Sequence, residues 1–268
     1  MKKSLCILLL FSFSSILFAQ KIKIPKNELK RQLDSILNEG NLLYKYEKAA
    51  WIATDLALEN PIVKAEFYGY FAYEEQGIIK TIILDKGSQN CIAEYTFEEK
   101  IDNPSSIKIE KRSLSDKEKT LIDIRKKIAQ NIINEHKNEV GYPDGYNLNM
   151  ILLPFADKYK LYIITGTTQS NVIPFGNDYI FVADENGKIE NWKKFHSKLI
   201  PSYTMLGEYK VRELSHSHLI TTPLITATDI CIFMLYAPLY KIDVFSVYSP
   251  AIKKTMKYSL KENNITVK

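Results

Sequence analysis

The sequence predicts an α+β fold, in which a mixed or antiparallel sheet packs against helices. The chain of 268 residues contains 17 Tyr and 12 Phe, and aromatic side chains favour the half-buried surface of a sheet. Helix-type and strand-type apolar spacings also occur along the same chain. With 46% hydrophobic and 25% charged residues, the composition is that of a globular protein. We expect three regions: a signal peptide (1–20), an N-terminal helical and sheet region (21–140) and a C-terminal α+β region (141–268).

The first twenty residues, MKKSLCILLLFSFSSILFAQ, have the pattern of a bacterial secretory signal peptide. Lys2 and Lys3 precede an apolar run of about 14 residues, and Ala19 fits the position before the cleavage site. The alternative is a membrane anchor, but a spanning helix needs roughly 20 apolar residues. We therefore expect cleavage near residue 20 and export to the periplasm or the extracellular space. No later segment is apolar enough to predict a membrane span.

The N-terminal region predicts helices followed by a small sheet. Leucines and isoleucines recur at helical spacing in PKNELKRQLDSILNEGNLLYKYEKAAWIATDLALEN, which predicts two helices broken near Gly40. The next segment predicts a strand, a turn around Gln76 and Gly77, and a second strand, and NCIAEYTFE predicts a third. The segment SLSDKEKTLIDIRKKIAQNIINEHK predicts the clearest helix, capped by Ser113 or Ser115.

The C-terminal region is rich in predicted strands. Four of them are LNMILLPF, YKLYIITGT, GNDYIFVAD and GKIENWKKFH, and the last two should form a hairpin across DENG. A further strand is predicted in EYKVRELSHSH, a short apolar helix in TATDICIFMLYAPLY and a strand in KIDVFSVYSP. Cys91 and Cys231 remain after signal cleavage; export would permit a disulfide between them, but buried free thiols are equally compatible with the sequence.

The candidate functional residues are concentrated in HSHLITTPLITATD, residues 216–229. His216 and His218 are two apart on a predicted strand, so they face the same way and can converge on one ion. Thr226 is a good helix N-cap, which places Asp229 in the first helical turn near the end of that strand. Such a set suits Zn²⁺ with a bound water, although iron sites use similar ligands. The alternative is a histidine pair followed by a helix in which the dipole favours Asp229 without any metal.

The spacing of this segment resembles that of the JAMM/MPN-type metalloproteases, which carry H-[ST]-H, seven residues and then S-x-x-D. Here HSH, LITTPLI and TATD occupy those positions. The resemblance implies that His216, His218 and Asp229 bind zinc, that Thr226 stabilises the transition state, and that a zinc-bound water hydrolyses peptide bonds. Two residues depart from the pattern, because Leu219 replaces a proline and Thr226 replaces the serine. The upstream glutamate that serves as general base in that family has no clear counterpart.

A longer stretch is similar to a group of uncharacterised exported bacterial proteins. The similarity covers FGNDYIFVADENGKIENWKKFHSKLIP and SHSHLITTPLITATDIC. It implies that His196 joins His216, His218 and Asp229 as a metal ligand. The further residues that it groups with these four are Asn177, Asp178 and Asp184.

The charge pattern argues against nucleic acid as a partner. The net charge of +5 includes Lys2 and Lys3, which leaves +3 on residues 21–268, and basic residues alternate with acidic ones. Two classes of function therefore compete. The first is an exported zinc hydrolase that acts on a peptide or a component of the cell envelope. The second is a non-catalytic exported module that binds a protein or glycan or belongs to the envelope.

Overall fold

The computed structural model describes residues 22–268, so the predicted signal peptide lies outside the described residues. The predicted α+β class is confirmed, with antiparallel and mixed sheets packed against helices. Within residues 22–268, no helix is both long and apolar enough to cross a membrane. The helices are α1 (Lys26–Glu59), α2 (Pro61–Glu66), α3 (Asp116–Glu135) and α4 (Ala227–Tyr240).

Helix α1 is continuous, so the predicted break near Gly40 is wrong. A Cβ atom on Gly40 would lie 2.8 Å from the Cβ of Ile230 and 3.1 Å from the carbonyl oxygen of Ala227. The glycine therefore allows α4 to pack closely against α1. The helix ends instead at Glu59, and the side chain of Asn60 accepts hydrogen bonds from the first N–H groups of α2.

The first sheet and α3 follow the sequence expectations closely. Its strands are β1 (Phe67–Glu75), β2 (Ile78–Asp85), β3 (Asn90–Phe97), β4 (Ser106–Lys108) and β5 (Arg112–Ser113), all paired antiparallel. Gln76 and Gly77 both have positive φ, 55° and 81°, as a tight hairpin turn requires. Ser115 caps α3 in a capping box with Glu118, which decides between the two predicted caps.

The middle of the chain contains the four predicted strands and several that were not predicted. Strands β6 (Asn147–Phe155), β7 (Lys158–Gly166), β9 (Tyr179–Ala183) and β10 (Ile189–Lys194) form an antiparallel sheet in the order β10-β9-β7-β6, with β9 and β10 as the predicted hairpin. The additional strands are β8 (Val172–Gly176), paired with β11 (Leu199–Tyr203), and β12 (Met205–Leu206), paired with β13 (Tyr209–Lys210).

The last sheet brings a strand end and a helix start together. Its strands, in sheet order, are β14 (Glu213–Ser217), β15 (Val244–Ser249), β16 (Lys254–Ser259) and β17 (Asn264–Val267). The predicted strand EYKVRELSHSH is therefore interrupted, because β13 and β14 pair with different neighbours. Strands β14 and β15 are parallel and are connected through α4, which is buried along most of its length. This crossover returns the chain so that the start of α4 lies near the end of β14.

Two apolar cores support these layers. One contains side chains of α1, α4 and the last sheet, and the other lies mainly between α3 and the first two sheets. Cys231 belongs to the first core and Cys91 to the second, and both are buried free thiols. The pair that the sequence left open therefore forms no disulfide.

Candidate metal centre

Four side chains that the sequence analysis grouped lie together in a buried cluster, which we call the histidine cluster. It consists of His196, which follows β10, His216 on β14, His218 just after β14, and Asp229 in the first turn of α4. One ligand atom from each lies within 4.8 Å of the others. None of the four side chains is more than 5% exposed.

The donor atoms form a compact group. The Nε2 atom of His218 lies 3.0 Å from the Nε2 atoms of both His196 and His216, and these two are 3.3 Å apart. Asp229 Oδ1 is 3.4 Å from His196 Nε2 and 3.5 Å from His216 Nε2, and Asp229 Oδ2 is 3.1 Å from His218 Nε2. In a regular tetrahedron with bonds of about 2.1 Å around Zn²⁺, neighbouring donors lie about 3.4 Å apart. The three histidine nitrogens are therefore spaced for an ion of that size, and Asp229 turns Oδ1 towards His196 and His216 and Oδ2 towards His218.

Two of the histidines are oriented through their other ring nitrogen. His196 Nδ1 lies 2.7 Å from the carboxylate of Asp178, and His218 Nδ1 lies 2.7 Å from the carbonyl oxygen of Leu224. A carboxylate or carbonyl only accepts hydrogen bonds, so Nδ1 is the protonated nitrogen in both neutral rings. Their Nε2 atoms then present lone pairs to each other at 3.0 Å. Two lone pairs at this distance repel unless a proton or a metal ion lies between them.

Asp178 and Thr228 form a second layer of hydrogen bonds behind His196, which we call the outer support. The sequence analysis had identified only Asp178. Asp178 lies between β8 and β9 and is 2% exposed, and the hydroxyl of Thr228 donates a hydrogen bond to its second oxygen. Histidines that bind metals usually donate their other N–H to a carboxylate or carbonyl in this way. The similarity to exported proteins had grouped Asp178 with the histidines. Thr228 carried no signal beyond its position next to Asp229 in sequence.

The helix cap fixes the orientation of Asp229. Its Oδ2 accepts hydrogen bonds from the backbone N–H of Thr226 at 2.9 Å and from the Thr226 hydroxyl at 2.7 Å. The Thr226 hydroxyl in turn accepts the N–H of Asp229 at 3.1 Å, which completes a capping box. Thr226 thus fixes the Asp229 carboxylate through Oδ2, while Oδ1 faces the imidazoles of His196 and His216. In this one position Asp229 can serve both in the helix cap, through Oδ2, and as a metal ligand, through Oδ1.

His216 is held by ring packing and has no orienting hydrogen bond. Its ring lies 5.4 Å from the Phe175 ring and 5.1 Å from the Phe245 ring, centroid to centroid, and stacks on His218 at 5.0 Å. Its Nδ1 is buried and has no hydrogen-bond partner among the described residues. This nitrogen cannot be satisfied within the cluster, whereas the Nε2 atom points towards the other donors.

The charges of the cluster are strongly coupled. Burial opposes the charged form of His196, but the carboxylates of Asp229 and Asp178 outweigh it and raise the pKa of His196 to about 9. Burial lowers the pKa of His216 to about 4. Burial would raise the pKa of Asp229, yet the three imidazoles outweigh it and hold that pKa well below its usual range. Without a metal, a proton on His196 supplies the positive charge beside the two carboxylates, and a divalent ion would supply it in place of that proton.

Other residues that the sequence analysis considered lie outside the cluster. Asp184 accepts hydrogen bonds from backbone N–H groups of the β9–β10 turn, so its role is in the hairpin. Asn177 donates to the carbonyl of Gly141 and accepts from the hydroxyl of Tyr179. It lies next to Asp178 in sequence and supports the backbone there. A cavity of about 240 Å³ adjoins the cluster; its lining includes Phe195, Thr222, Leu224 and Thr226 but none of the four cluster residues.

Comparison of the chain with protein-family models finds no match, and comparisons with curated proteins and with solved structures find none either. The argument for function therefore depends on the geometry of the histidine cluster and its surroundings.

Proposed function

We propose that this protein binds a divalent transition-metal ion, with Zn²⁺ as the expected ion, through His196, His216, His218 and Asp229. The observation that supports the proposal most directly is the close approach of the Nε2 atoms of His196 and His218, whose other nitrogens donate to Asp178 and Leu224. A cation between these atoms turns the repulsion into two coordinate bonds. Nitrogen donors at this spacing suit Zn²⁺ and are poor ligands for Ca²⁺ or Mg²⁺, which prefer oxygen.

The ion would have a closed shell of protein ligands. Three imidazoles and one carboxylate complete a tetrahedron, and a closed shell is the usual form of structural zinc sites. The ligands come from three separate parts of the chain, one after β10, two at the end of β14 and one at the start of α4. Zinc would therefore join these elements and stabilise the folded state.

Metal analysis of the purified chain from residue 21 tests this proposal. We expect close to one zinc ion per chain by elemental analysis, and a higher melting temperature after zinc is added to chelator-treated protein. His218→Ala should abolish both effects. His136→Ala is the matched control, since His136 ends α3 and packs on Phe181 and Trp192 outside the cluster. Equal zinc content in the two variants would contradict the proposal.

A zinc-dependent hydrolase is the second candidate function. The observation that favours it is the cavity of about 240 Å³ that extends to Thr226, whose hydroxyl contacts Asp229. Catalysis requires an open zinc position, so one protein ligand would have to give way to water. The zinc would then lower the pKa of that water to about 7 and polarise a carbonyl group. The Thr226 hydroxyl would have to leave Asp229 Oδ2 in order to donate to the developing oxyanion, because it carries a single hydrogen. The substrate would be a peptide, including a peptide of the cell envelope.

Activity of zinc-loaded protein on peptides and cell-wall peptides distinguishes the two candidates. In a hydrolase, Thr226→Ala should keep zinc and lose rate, because one lost oxyanion donor costs about 2.7–4 kcal/mol of transition-state stabilisation. The same change removes a helix cap worth about 1 kcal/mol, so rates are compared well below the melting temperature of both proteins. Zinc binding without hydrolysis of any peptide would support the closed site alone.

Export of the protein is also part of the proposal. It is supported by the positively charged start and the short apolar run of residues 1–20. Mass spectrometry of the protein from its own host should find a mature N-terminus near residue 20. A cytoplasmic protein with an intact Met1 would contradict export and leave the zinc proposal unaffected.

A further inference from the structure

The seam between α1 and the edge strand β17 contains a groove that the metal proposal does not use. The groove has a volume of about 650 Å³, within the range of small-molecule sites, and no residue of the histidine cluster lines it. Its apolar lining comes from the first part of α1 and from β17. These apolar residues are Ile24, Leu29, Leu33, Leu37, Ile265 and Val267.

The residues that line the groove are arranged along the axis of α1, as the wall of an elongated channel would be. Leu29, Leu33 and Leu37 are four residues apart, so they lie along one face of α1. The lining extends from Lys26 to Leu37 on this helix, which corresponds to a length of about 17 Å at 1.5 Å per residue. On the opposite wall, Ile265 and Val267 are two apart on β17 and face the same side. A single extended hydrocarbon chain fits such a channel better than a compact ring system does.

Positive charge is concentrated at one end of the groove. Lys26 and Lys254 both line it, and no carboxylate within residues 22–268 lies close enough to form an ion pair with either. The N–H of Ile22 donates to the carbonyl of Ala251, which places the start of α1 beside the start of β16. Lys26 and Lys254 therefore lie at the same end. The third lysine of the lining, Lys30, pairs with Asp34 at 2.6 Å.

We propose that this groove binds a long-chain fatty acid, with its carboxylate between Lys26 and Lys254 and its hydrocarbon tail along α1 towards Leu37. The lysines provide charge complementarity for one anionic head group, and removal of the hydrocarbon tail from water against the apolar walls stabilises the complex. This proposal does not depend on metal binding.

Fluorescence titration of the chain from residue 21 with cis-parinarate, an intrinsically fluorescent C18 fatty acid, tests the proposal. We expect saturable binding and displacement by palmitate. Val267→Trp should fill the groove and abolish binding, whereas Ile107→Trp, at an exposed position on β4, should not. Circular dichroism and melting curves of each variant establish that it is folded. Absence of saturable binding to the wild-type protein would overturn the proposal.

A second pair of variants tests the position of the carboxylate. The double change Lys26→Glu and Lys254→Glu should weaken palmitate binding at least tenfold and leave hexadecanol, which lacks the charge, nearly unchanged. The matched control changes the exposed Lys86 and Lys188 in the same way and should bind palmitate as the wild type does. Equal weakening in both double variants would overturn the proposal. A wild-type dimer that Val267→Trp converts to a monomer, without fatty-acid binding, would identify the groove as an interface between copies instead.

Discussion

Two polar clusters in this protein, each built around a buried carboxylate, differ in whether that carboxylate has a permanently charged partner within the protein. The first, which we call the arginine cluster, joins Arg112 to the carboxylates of Glu118 and Glu94. Glu118 also accepts hydrogen bonds from the hydroxyl of Tyr73 and the N–H of Ser115. In the histidine cluster, by contrast, two imidazole Nε2 atoms lie 3.0 Å apart and need a proton or a metal ion between them. The arginine cluster pairs its charges without any bound ion, whereas the histidine cluster would be completed by a proton or, as proposed above, by a metal ion.

Burial of a carboxylate has different consequences in the two clusters because the partners of the carboxylate differ. A buried carboxylate is costly unless it is paired and hydrogen-bonded, and Glu118 meets both conditions within the protein. Asp229 is equally buried, but its nearest charged partners are imidazoles that are neutral unless they gain a proton or bind a metal. Stability of the first cluster should therefore be independent of metal, and stability of the second should depend on it.

The largest effect is expected from Glu118→Ala. Removal of this carboxylate takes away one of the two partners of Arg112, leaves the buried Tyr73 hydroxyl without its acceptor and destroys the α3 capping box. We expect a loss of about 3 kcal/mol in the free energy of unfolding, measured by urea denaturation. Glu118→Gln, which keeps an oxygen acceptor for the cap, should lose less. The loss should be the same with zinc and with chelator. A zinc-dependent loss would contradict the conclusion that the stability of the arginine cluster is independent of metal.

Zinc itself should have the next largest effect. Free zinc at 100 times its dissociation constant should add about 2.7 kcal/mol to the free energy of unfolding, because it binds the folded state alone. The same addition should leave His218→Ala unchanged. Denaturant unfolding of chelator-treated protein with and without zinc measures the difference. An equal gain in the wild type and in His218→Ala would mean that zinc binds elsewhere.

The outer support of the histidine cluster should contribute less than the ligands. Asp178→Asn removes the charged acceptor of the His196 Nδ1–H and should weaken zinc binding about 10- to 100-fold, while zinc still binds. Competition with a zinc-sensitive dye measures the affinity. Asp184→Asn is the matched control, because Asp184 contacts only the β9–β10 turn. An unchanged affinity for Asp178→Asn would show that His196 does not ligate the ion.

The smallest effect is expected for the dependence of stability on pH near neutrality, as far as the arginine cluster contributes to it. Burial of Glu118 would raise its pKa, but hydrogen bonds from Arg112 and the Ser115 N–H outweigh burial and lower the pKa to about 2. A lowered pKa adds stability that is complete above the usual value of 4.5 and is lost as the pH falls towards about 2. Metal-free protein should therefore keep this contribution from pH 8 to pH 5. Zinc affinity should already decline over that range, because protonated imidazoles cannot bind metal.

Local patterns were sufficient to predict much of the secondary structure. The hairpin at Gln76 and Gly77, the long helix after Ser115 and the apolar helix after Thr226 depend on neighbours in sequence, and all three appear as expected. The prediction of a helix break at Gly40 was wrong because this glycine is there to allow close contact with Ile230, which is 190 residues away. Strands β8 and β11 were missed because they are defined by their pairing with each other, which the local sequence pattern does not show.

The sequence by itself determined that His216 and His218 share a strand face and that Asp229 begins a helix, because both follow from the period of the local backbone. Only the tertiary structure decided that β14 and β15 are parallel across α4, that His196 meets the other two imidazoles, and that Asp178 orients it. Those contacts join residues 18 to 22 positions apart through sheet pairing and buried packing. Local periodicity carries no information about which distant strands come together, so only the folded chain brings the four donor atoms to one point.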